Sequence, residues 1–277
     1  MKKILVATDL SERSDRAVRR ALRLAALSGA ECHVLFVVDD SLPQDIAQTL
    51  LKDAGLRLRR FLDAAPGGGA AAQDTAVLGD PITTVCDKAA ELGADLVVLG
   101  LHRPRPFLDA LRETTMERLV RLLRLPVLLV RDPADHDYQS VLAAVSFSPA
   151  CAAALRAARW VAPSARISAF HANLIPFAGF TGEGPGSATA RQMAREAEAA
   201  CEEWAGSEAL PADLAEVEIV TGSLGQVFER QLRTTGADLV ALGAHTRSVY
   251  LASSLGSFAA ELIRNPPTDL LIARRVR

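Results

Sequence analysis

The sequence predicts an α/β protein of two tandem domains, each a doubly wound, five-stranded parallel sheet. Short apolar runs alternate with amphipathic helical stretches, and the second half of the chain repeats the order of the first. Apolar strands separated by helices indicate a sheet that is buried on both faces. The 277 residues, 49% of them hydrophobic, suffice for two cores of ordinary size. We place the domains at 1–132 and 138–277.

Five strands and four helices are predicted in the first half. The strands are 4–8, 33–38, 75–78, 95–99 and 127–130, and the helices are 14–28, 43–62, 81–92 and 114–123. The first helix has an apolar stripe at helical spacing and stops at Gly29. Pro81 lies in the first turn of the third helix, where its missing N–H is tolerated.

The second half is an internal copy of the first. The copied segments and their offsets are 141–162 at 137, 167–172 at 135, and 217–220, 237–243 and 270–273 at 143. Ten of the 28 residues from Ala94 and from Ala237 are identical without a gap. Self-similarity of this kind indicates a duplicated domain. The change of offset places an eight-residue insertion in 173–187 of the second copy.

Ligands of open parallel sheets bind beyond the carboxyl ends of the strands, where the winding direction reverses. With the strand order 3-2-1-4-5, that point lies between the first and fourth strands of each copy. Asp9 and Gly100 end these strands in the first copy, and Ser146 and Gly243 in the second. A glycine-flanked loop that leads into a helix N-terminus suits an anion.

The spacing G-x2-G-x9-G-[ST] after the fourth strand, with aspartate ending the first strand, resembles the universal stress protein family. KKILVATDLSE at the start, GDP at Gly79 and GADLVVLGLH at Gly93 add to the resemblance. It implies a tandem member with adenine-nucleotide α-hydrolase-like domains, packed as a pseudo-dimer within the chain. In nucleotide-binding members the aspartate meets the nucleoside and a second-strand valine contacts adenine. The glycine-rich loop and its Ser/Thr hold the phosphates.

Carried over by position, the resemblance gives each copy part of the site. The implied nucleotide contacts are Asp9, Val37, Gly100, His102 and Thr114 in the first copy, and Ser146, Ala172, Gly243, His245, Thr246, Arg247, Gly256, Ser257 and Phe258 in the second. Arg103 and Glu113 stand at two glycine positions of the first copy, so its phosphate side is altered. Ser146 and Ala172 replace the aspartate and the valine, so the second copy has an altered nucleoside side.

Simpler interpretations of these residues stay open at this stage. Asp9 could cap the first helix, Ser257 could cap the last one, and Arg247 could be a solvated loop charge. His102 and His245 have no evident nucleophile partner, so no catalytic residue is assigned.

Composition argues against several other classes of function. With 31 basic and 33 acidic residues there is no overall attraction to nucleic acid or membranes. We therefore expect the arginine-rich helix faces to be solvated surfaces: Arg13, Arg16, Arg19, Arg20 and Arg23, and Arg57, Arg59 and Arg60. Four scattered cysteines and a start without a signal-like apolar region favour reduced thiols, no metal site and a cytoplasmic location. GxxxxGK[ST] and GxSxG are both absent, which argues against P-loop and α/β-hydrolase enzymes.

The expected function is stress-response regulation through an adenine nucleotide, ATP or AMP, bound in at most one domain. Magnesium would be held only through the phosphates. Besides the pseudo-dimer, a homodimer of the whole chain stays open. The alternative is a degenerate scaffold that binds no nucleotide and works through protein contacts, with the apolar segment 174–180 as a docking surface. A nucleotide-transferring enzyme is disfavoured, because no serine-glycine-glycine loop follows the first strand.

Overall fold

The computed structural model describes residues 1–65, 72–101, 114–174, 187–244 and 256–274. The chain forms two compact units, and each is an α/β structure, as predicted. The first unit comprises 1–137 and 260–270, and the second comprises 138–259 and 271–277.

The first unit has the predicted strand order. Its strands are β1 (Lys3–Thr8), β2 (Glu31–Val38), β3 (Ala72–Leu78), β4 (Leu96–Gly100) and β5 (Val127–Val130). They lie in the order β3-β2-β1-β4-β5 with parallel pairing. The apolar side chains of β1, β4 and β5 are almost entirely buried, because helices cover both faces of the sheet.

Side-chain caps fix where three of the four helices of the first unit begin, and α2 is the exception. The helices are α1 (Glu12–Ser28), α2 (Gln44–Asp63), α3 (Pro81–Leu92) and α4 (Thr115–Leu122). Ser11 caps α1 by accepting a hydrogen bond from the backbone N–H of Ser14, so α1 starts two residues earlier than predicted. Gly29 ends α1 in the left-handed conformation, with φ of 68°, and confirms the predicted stop.

The second copy of the sequence repeats the topology. Its strands are β6 (Ser140–Ala144), β7 (Arg166–Asn173), β8 (Val217–Thr221), β9 (Leu239–Gly243) and β10 (Asp269–Ala273), in the order β8-β7-β6-β9-β10. The first two residues of β10 are counted with the first unit. The helices of the second copy are α5 (Pro149–Val161), α6 (Ala188–Ser207), α7 (Ala212–Ala215), α8 (Leu224–Thr235) and α9 (Ser257–Arg264). The sequence did not predict the short helix α7. Residues 175–186 of the proposed insertion lie outside the described residues.

Arg20 is buried, so the prediction of a solvated side chain is wrong for this arginine. It is 1% exposed, and its Nε lies 3.5 Å from the fully buried carboxylate of Asp269, which belongs to the same unit. Arg20 also donates to the carbonyl oxygen of His136, at 2.7 Å. Asp269 accepts from the backbone N–H groups of Arg131 and Asp132, at 2.8 and 2.9 Å. These hydrogen bonds compensate both charges for the loss of water.

We expect Arg20→Met to lower the free energy of unfolding by about 3–5 kcal/mol, because it leaves the Asp269 carboxylate buried without its cation. The exposed pair of Arg233 and Glu229 provides the control, and Arg233→Met should change the free energy by less than about 1 kcal/mol. Urea denaturation followed by circular dichroism measures both variants. Equal changes in the free energy of unfolding would show that burial does not increase the cost of breaking the Arg20–Asp269 pair.

Candidate functional site

The turn that joins the first strand to the first helix has the same geometry in both units. Leu10 and Phe147, at equivalent positions, both have positive φ, 59° and 51°. The next residues, Ser11 and Ser148, cap α1 and α5 through their side-chain oxygens. The two copies therefore present a helix N-terminus at the same point beyond the central strand.

Gly100 and Gly243 lie against the backbone of these helix N-termini. A Cβ built on Gly100 would lie 2.7 Å from Cα of Ser14, and one on Gly243 would lie 2.6 Å from the backbone nitrogen of Cys151. Neither neighbour is a flexible side chain that could move away. Glycine is therefore required by the close approach of β4 to α1 and of β9 to α5.

Asp9 is exposed at the end of β1, and it does not cap α1, because Ser11 holds that position. Its carboxylate accepts from the backbone N–H of Ser11 at 3.0 Å. Desolvation by neighbouring groups raises the pKa of Asp9, but hydrogen bonds from Ser11 and Ser14 outweigh it and hold the pKa below the ordinary 3.8. Asp9 thus presents an ionised carboxylate, which can accept hydrogen bonds from ligand hydroxyls.

The second unit has a neutral group in place of Asp9. Ser146 is exposed, its backbone N–H donates to Sγ of Cys151 at 3.4 Å, and its Oγ lies 3.8 Å from that sulfur. Cys151 occupies the position that Ser14 has in the first unit. The loss of the carboxylate makes this end of the second sheet less negative.

Val37 and Ala172 lie at the carboxyl ends of equivalent strands. The β1–β2 register pairs Thr8 with Phe36, so Val37 is level with Asp9. Ala172 pairs with Val220 near the end of β7. Both residues are half-buried. The topology thus brings Asp9 and Val37, and likewise Ser146 and Ala172, to one edge of their sheets.

At the loop that is predicted to hold phosphates, α9 begins at Ser257, so Ser257 follows the cap position instead of occupying it. A Cβ on Gly256 would meet no atom of the described residues within 4 Å. The ring of Phe258 packs edge-on against Phe228, with 5.2 Å between the centroids. Gly256 and the exposed Ser257 are therefore open to a ligand, whereas Phe258 contributes packing.

Thr114 is the cap of α4. Its hydroxyl accepts from the backbone N–H of Glu117 at 3.2 Å, and the Glu117 carboxylate accepts from the N–H of Thr114 at 2.7 Å. Glu117 also pairs with Arg264 at 3.0 Å. The Thr114 hydroxyl can still donate its proton elsewhere. His102, His245, Thr246 and Arg247, together with Arg103 and Glu113, lie outside the described residues.

Comparison with known proteins identifies the family. The model of the "Universal stress protein family" matches twice, at residues 1–131 and 137–274. The chain belongs to the universal stress protein family. Universal stress protein MJ0531 of Methanocaldococcus jannaschii is 29% identical over 141 residues, which are 48% of this chain and 83% of that protein.

Two solved structures have the fold of this universal stress protein over almost its whole length. A universal stress protein from Archaeoglobus fulgidus superposes with a TM-score of 0.65 at 20% identity, covering 99% of this chain and 96% of the other. A putative universal stress protein from Pseudomonas aeruginosa gives 0.68 at 17% identity, covering 99% and 93%. At these identities the likeness shows the fold alone.

An aromatic cluster of the second domain was missed by the sequence reasoning. Phe147 stacks on His171 with 4.4 Å between centroids and lies 5.8 Å from Trp204. Nδ1 of His171 donates to the carbonyl oxygen of Val145, and Nε1 of Trp204 donates to that of Ser148. The internal repeat could have revealed this cluster, since Phe147 and Trp204 replace Leu10 and Phe61 of the first copy. The cluster ties α6 to the β6–α5 turn beside Ser146.

The first domain has a groove of about 550 Å³ that does not lie at the carboxyl ends of the strands. It is lined by the middle and C-terminal part of α1, by Ala65 beyond the end of α2 and by the segment after β5: Arg19, Leu22, Arg23, Ala26, Ala65, Pro133, Ala134 and Asp135. Helices run antiparallel to the strands of such a sheet, so the C-terminal half of α1 lies toward the opposite edge. Among the described residues there is neither a cluster of metal-binding side chains nor a helix able to cross a membrane.

We expect Gly243→Ala to lower the free energy of unfolding by about 1–3 kcal/mol, because its Cβ would overlap the backbone of α5. Gly206→Ala in α6 is the matched control. Its Cβ would meet none of the atoms that the structure describes within 4 Å, so this change should stabilise by up to about 1 kcal/mol through helix propensity. Thermal and urea unfolding compare the two. A neutral Gly243→Ala would disprove the steric requirement.

The hydrogen bond from Ser11 predicts a pH effect on Asp9. In Ser11→Ala, the pKa of Asp9 should rise toward 3.8, measured by carboxyl NMR titration. Because the folded-state pKa of Asp9 is depressed, its contribution to stability is present above 3.8 and is lost as the pH falls through the folded value. Ser41→Ala is the control, since Ser41 lowers the pKa of Asp39 instead. An unchanged Asp9 titration in Ser11→Ala would contradict the assignment.

Proposed function

We propose that this universal stress protein is a cytoplasmic, non-enzymatic regulator that binds an adenine nucleotide, ATP or AMP, in at most one domain. The second domain is the favoured phosphate site. The observation that best supports this site is that Gly243 lies directly on the first turn of α5, while α9 starts immediately after Gly256. Both features suit a phosphate chain that is bound by backbone N–H groups.

The residues around Gly256 fit a phosphate. The first N–H groups of a helix have no acceptor within it, and the helix N-terminus carries partial positive charge. No atom in the described part of the chain occupies the place of a side chain at Gly256, and Ser257 is exposed. Magnesium would bind through the phosphates only.

The nucleoside side of the second domain supports only weakened binding. Ser146 can exchange hydrogen bonds with a ribose hydroxyl, but without the charge that makes such bonds strong. Ala172 offers two methyl groups fewer than a valine would, which reduces burial against a base by about 1.5 kcal/mol. We therefore infer that phosphates contribute most of the affinity and that ATP binds more tightly than adenosine.

The regulatory role follows from what phosphoryl transfer requires. Such catalysis needs a positioned base or water-orienting group and side chains that hold the metal ion. The sequence has no Walker lysine, and Ser146 replaces the carboxylate at the end of β6. Nucleotide occupancy would then act as a signal, not as the start of turnover.

Isothermal titration with ATP and magnesium tests the proposal on the full chain. We expect the wild-type chain to bind ATP and Gly256→Glu to lose binding, because a carboxylate would repel the phosphates. Gly225→Glu is the matched control. Gly225 is an exposed position in α8 where, as at Gly256, a Cβ meets no described atom within 4 Å, so ATP binding should persist.

The wild type and the variants distinguish between the remaining interpretations. No ATP binding by the wild type would favour a scaffold that works through protein contacts. Binding that survives in Gly256→Glu would exclude the second-domain phosphate site. Asp9→Ala then asks whether the ligand lies in the first domain, where that carboxylate is the nucleoside-side group.

A further inference from the structure

The duplication allows α2 and α6 to be compared position by position. At an offset of 143, Ala47, Ala54 and Leu58 of α2 correspond to Ala190, Ala197 and Cys201 of α6, and all six are buried. The two helices therefore turn equivalent faces toward their own sheets. Differences at their outer positions are not explained by the shared fold.

Over their C-terminal halves, the outer faces of the two helices differ in charge. Residues 53–60 of α2 contain three arginines and one aspartate, whereas the equivalent residues 196–203 of α6 contain four glutamates and no basic residue. Arg57 and Arg60 are exposed on α2, and Glu196 and Glu203 are exposed on α6. Over this stretch α2 is therefore net basic and α6 net acidic, although Asp53 of α2 and Arg195 next to Glu196 of α6 are exposed as well.

Their apolar residues are complementary in size as well. Ile46 and Leu56 on the outer face of α2 are 48% and 57% exposed. The equivalent residues of α6 are Thr189 and Ala199, and Ala200 is exposed beside them. Large side chains on one helix and small ones on the other allow close packing of two helices.

We propose that the basic face of α2, formed by Ile46, Leu56, Arg57 and Arg60, binds the acidic face of α6, formed by Glu196, Ala199, Ala200 and Glu203, on a second copy of this chain. Arginine–glutamate pairs orient the contact, and the side chains of Ile46 and Leu56 are buried against Ala199 and Ala200. This association is independent of nucleotide binding.

Another copy fits this basic face better than a nucleic acid does. Phosphate backbones attract the arginines but offer no apolar surface to Ile46 and Leu56, and α2 has a single aromatic residue, the half-buried Phe61. The acidic complement of the right size is already present on α6. Because the charged residues are exposed, the association should weaken strongly as salt rises.

A charge-swap experiment tests the contact. One full-length variant carries Arg57→Glu and Arg60→Glu, and the other carries Glu196→Arg and Glu203→Arg. Sedimentation velocity should show concentration-dependent association of the wild type at low ionic strength, which high salt abolishes. Each variant alone should be monomeric, because its two faces then have the same charge. An equimolar mixture should associate again, because the acidic α2 of one variant meets the basic α6 of the other.

The control reverses two exposed arginines of α8, Arg230→Glu and Arg233→Glu, for the same change in net charge as the α2 variant. It should associate like the wild type. A monomeric wild type at low salt, association that survives either reversal, or a mixture that stays monomeric would each overturn the proposal. Binding of duplex DNA that is lost in the α2 variant, with no self-association, would assign the basic face to nucleic acid instead.

Discussion

The close approach of a strand end to a helix N-terminus, at Gly100 and at Gly243, is the constraint on which both candidate sites depend. A single methyl group would come within 2.7 Å of backbone atoms at either place. Because the contact is backbone against backbone, repacking of side chains cannot relieve it. The loop that follows the fourth strand of each domain must therefore start beside the first turn of the first helix. The backbone contact therefore determines the position of one side of the site, whatever side chains contact the ligand.

The buried ion pair of Arg20 and Asp269 is a constraint of a different kind. Two charges without solvent are tolerable only because backbone groups complete their hydrogen bonds: the carbonyl of His136 for the arginine, and two N–H groups for the aspartate. The pair therefore orders the segment that follows β5. A pair of apolar residues would fill the space equally well, but it would not specify that path of the chain.

Sequence reasoning succeeded where burial dictates the residue type. The strands β1, β4 and β5 were found because both of their faces are covered, and an unbroken apolar run leaves few other structures. It was less exact for β3, which starts with Ala72, Gln73 and Asp74, because an edge strand is held by backbone pairing and tolerates polar side chains. Arg20 was wrongly expected to be solvated, because arginine is rarely buried, although it lies on the buried stripe of Ala17, Ala21 and Leu24.

The candidate site shows the same division between backbone and side chains. Glycine spacing located the strand ends, but it could not decide whether Asp9 or Ser11 caps α1, since both have the required chemistry. The aromatic cluster at Phe147 was overlooked because no motif describes it, although the internal repeat marks each of its substitutions.

Since the duplication, side chains at the two candidate sites have changed more than the backbone conformation has. Leu10 and Phe147 keep the same left-handed conformation while Asp9 has become Ser146, and the glycine contacts persist in both domains. Function in this chain must therefore be assigned domain by domain, from the side chains that each copy presents on an unchanged backbone frame.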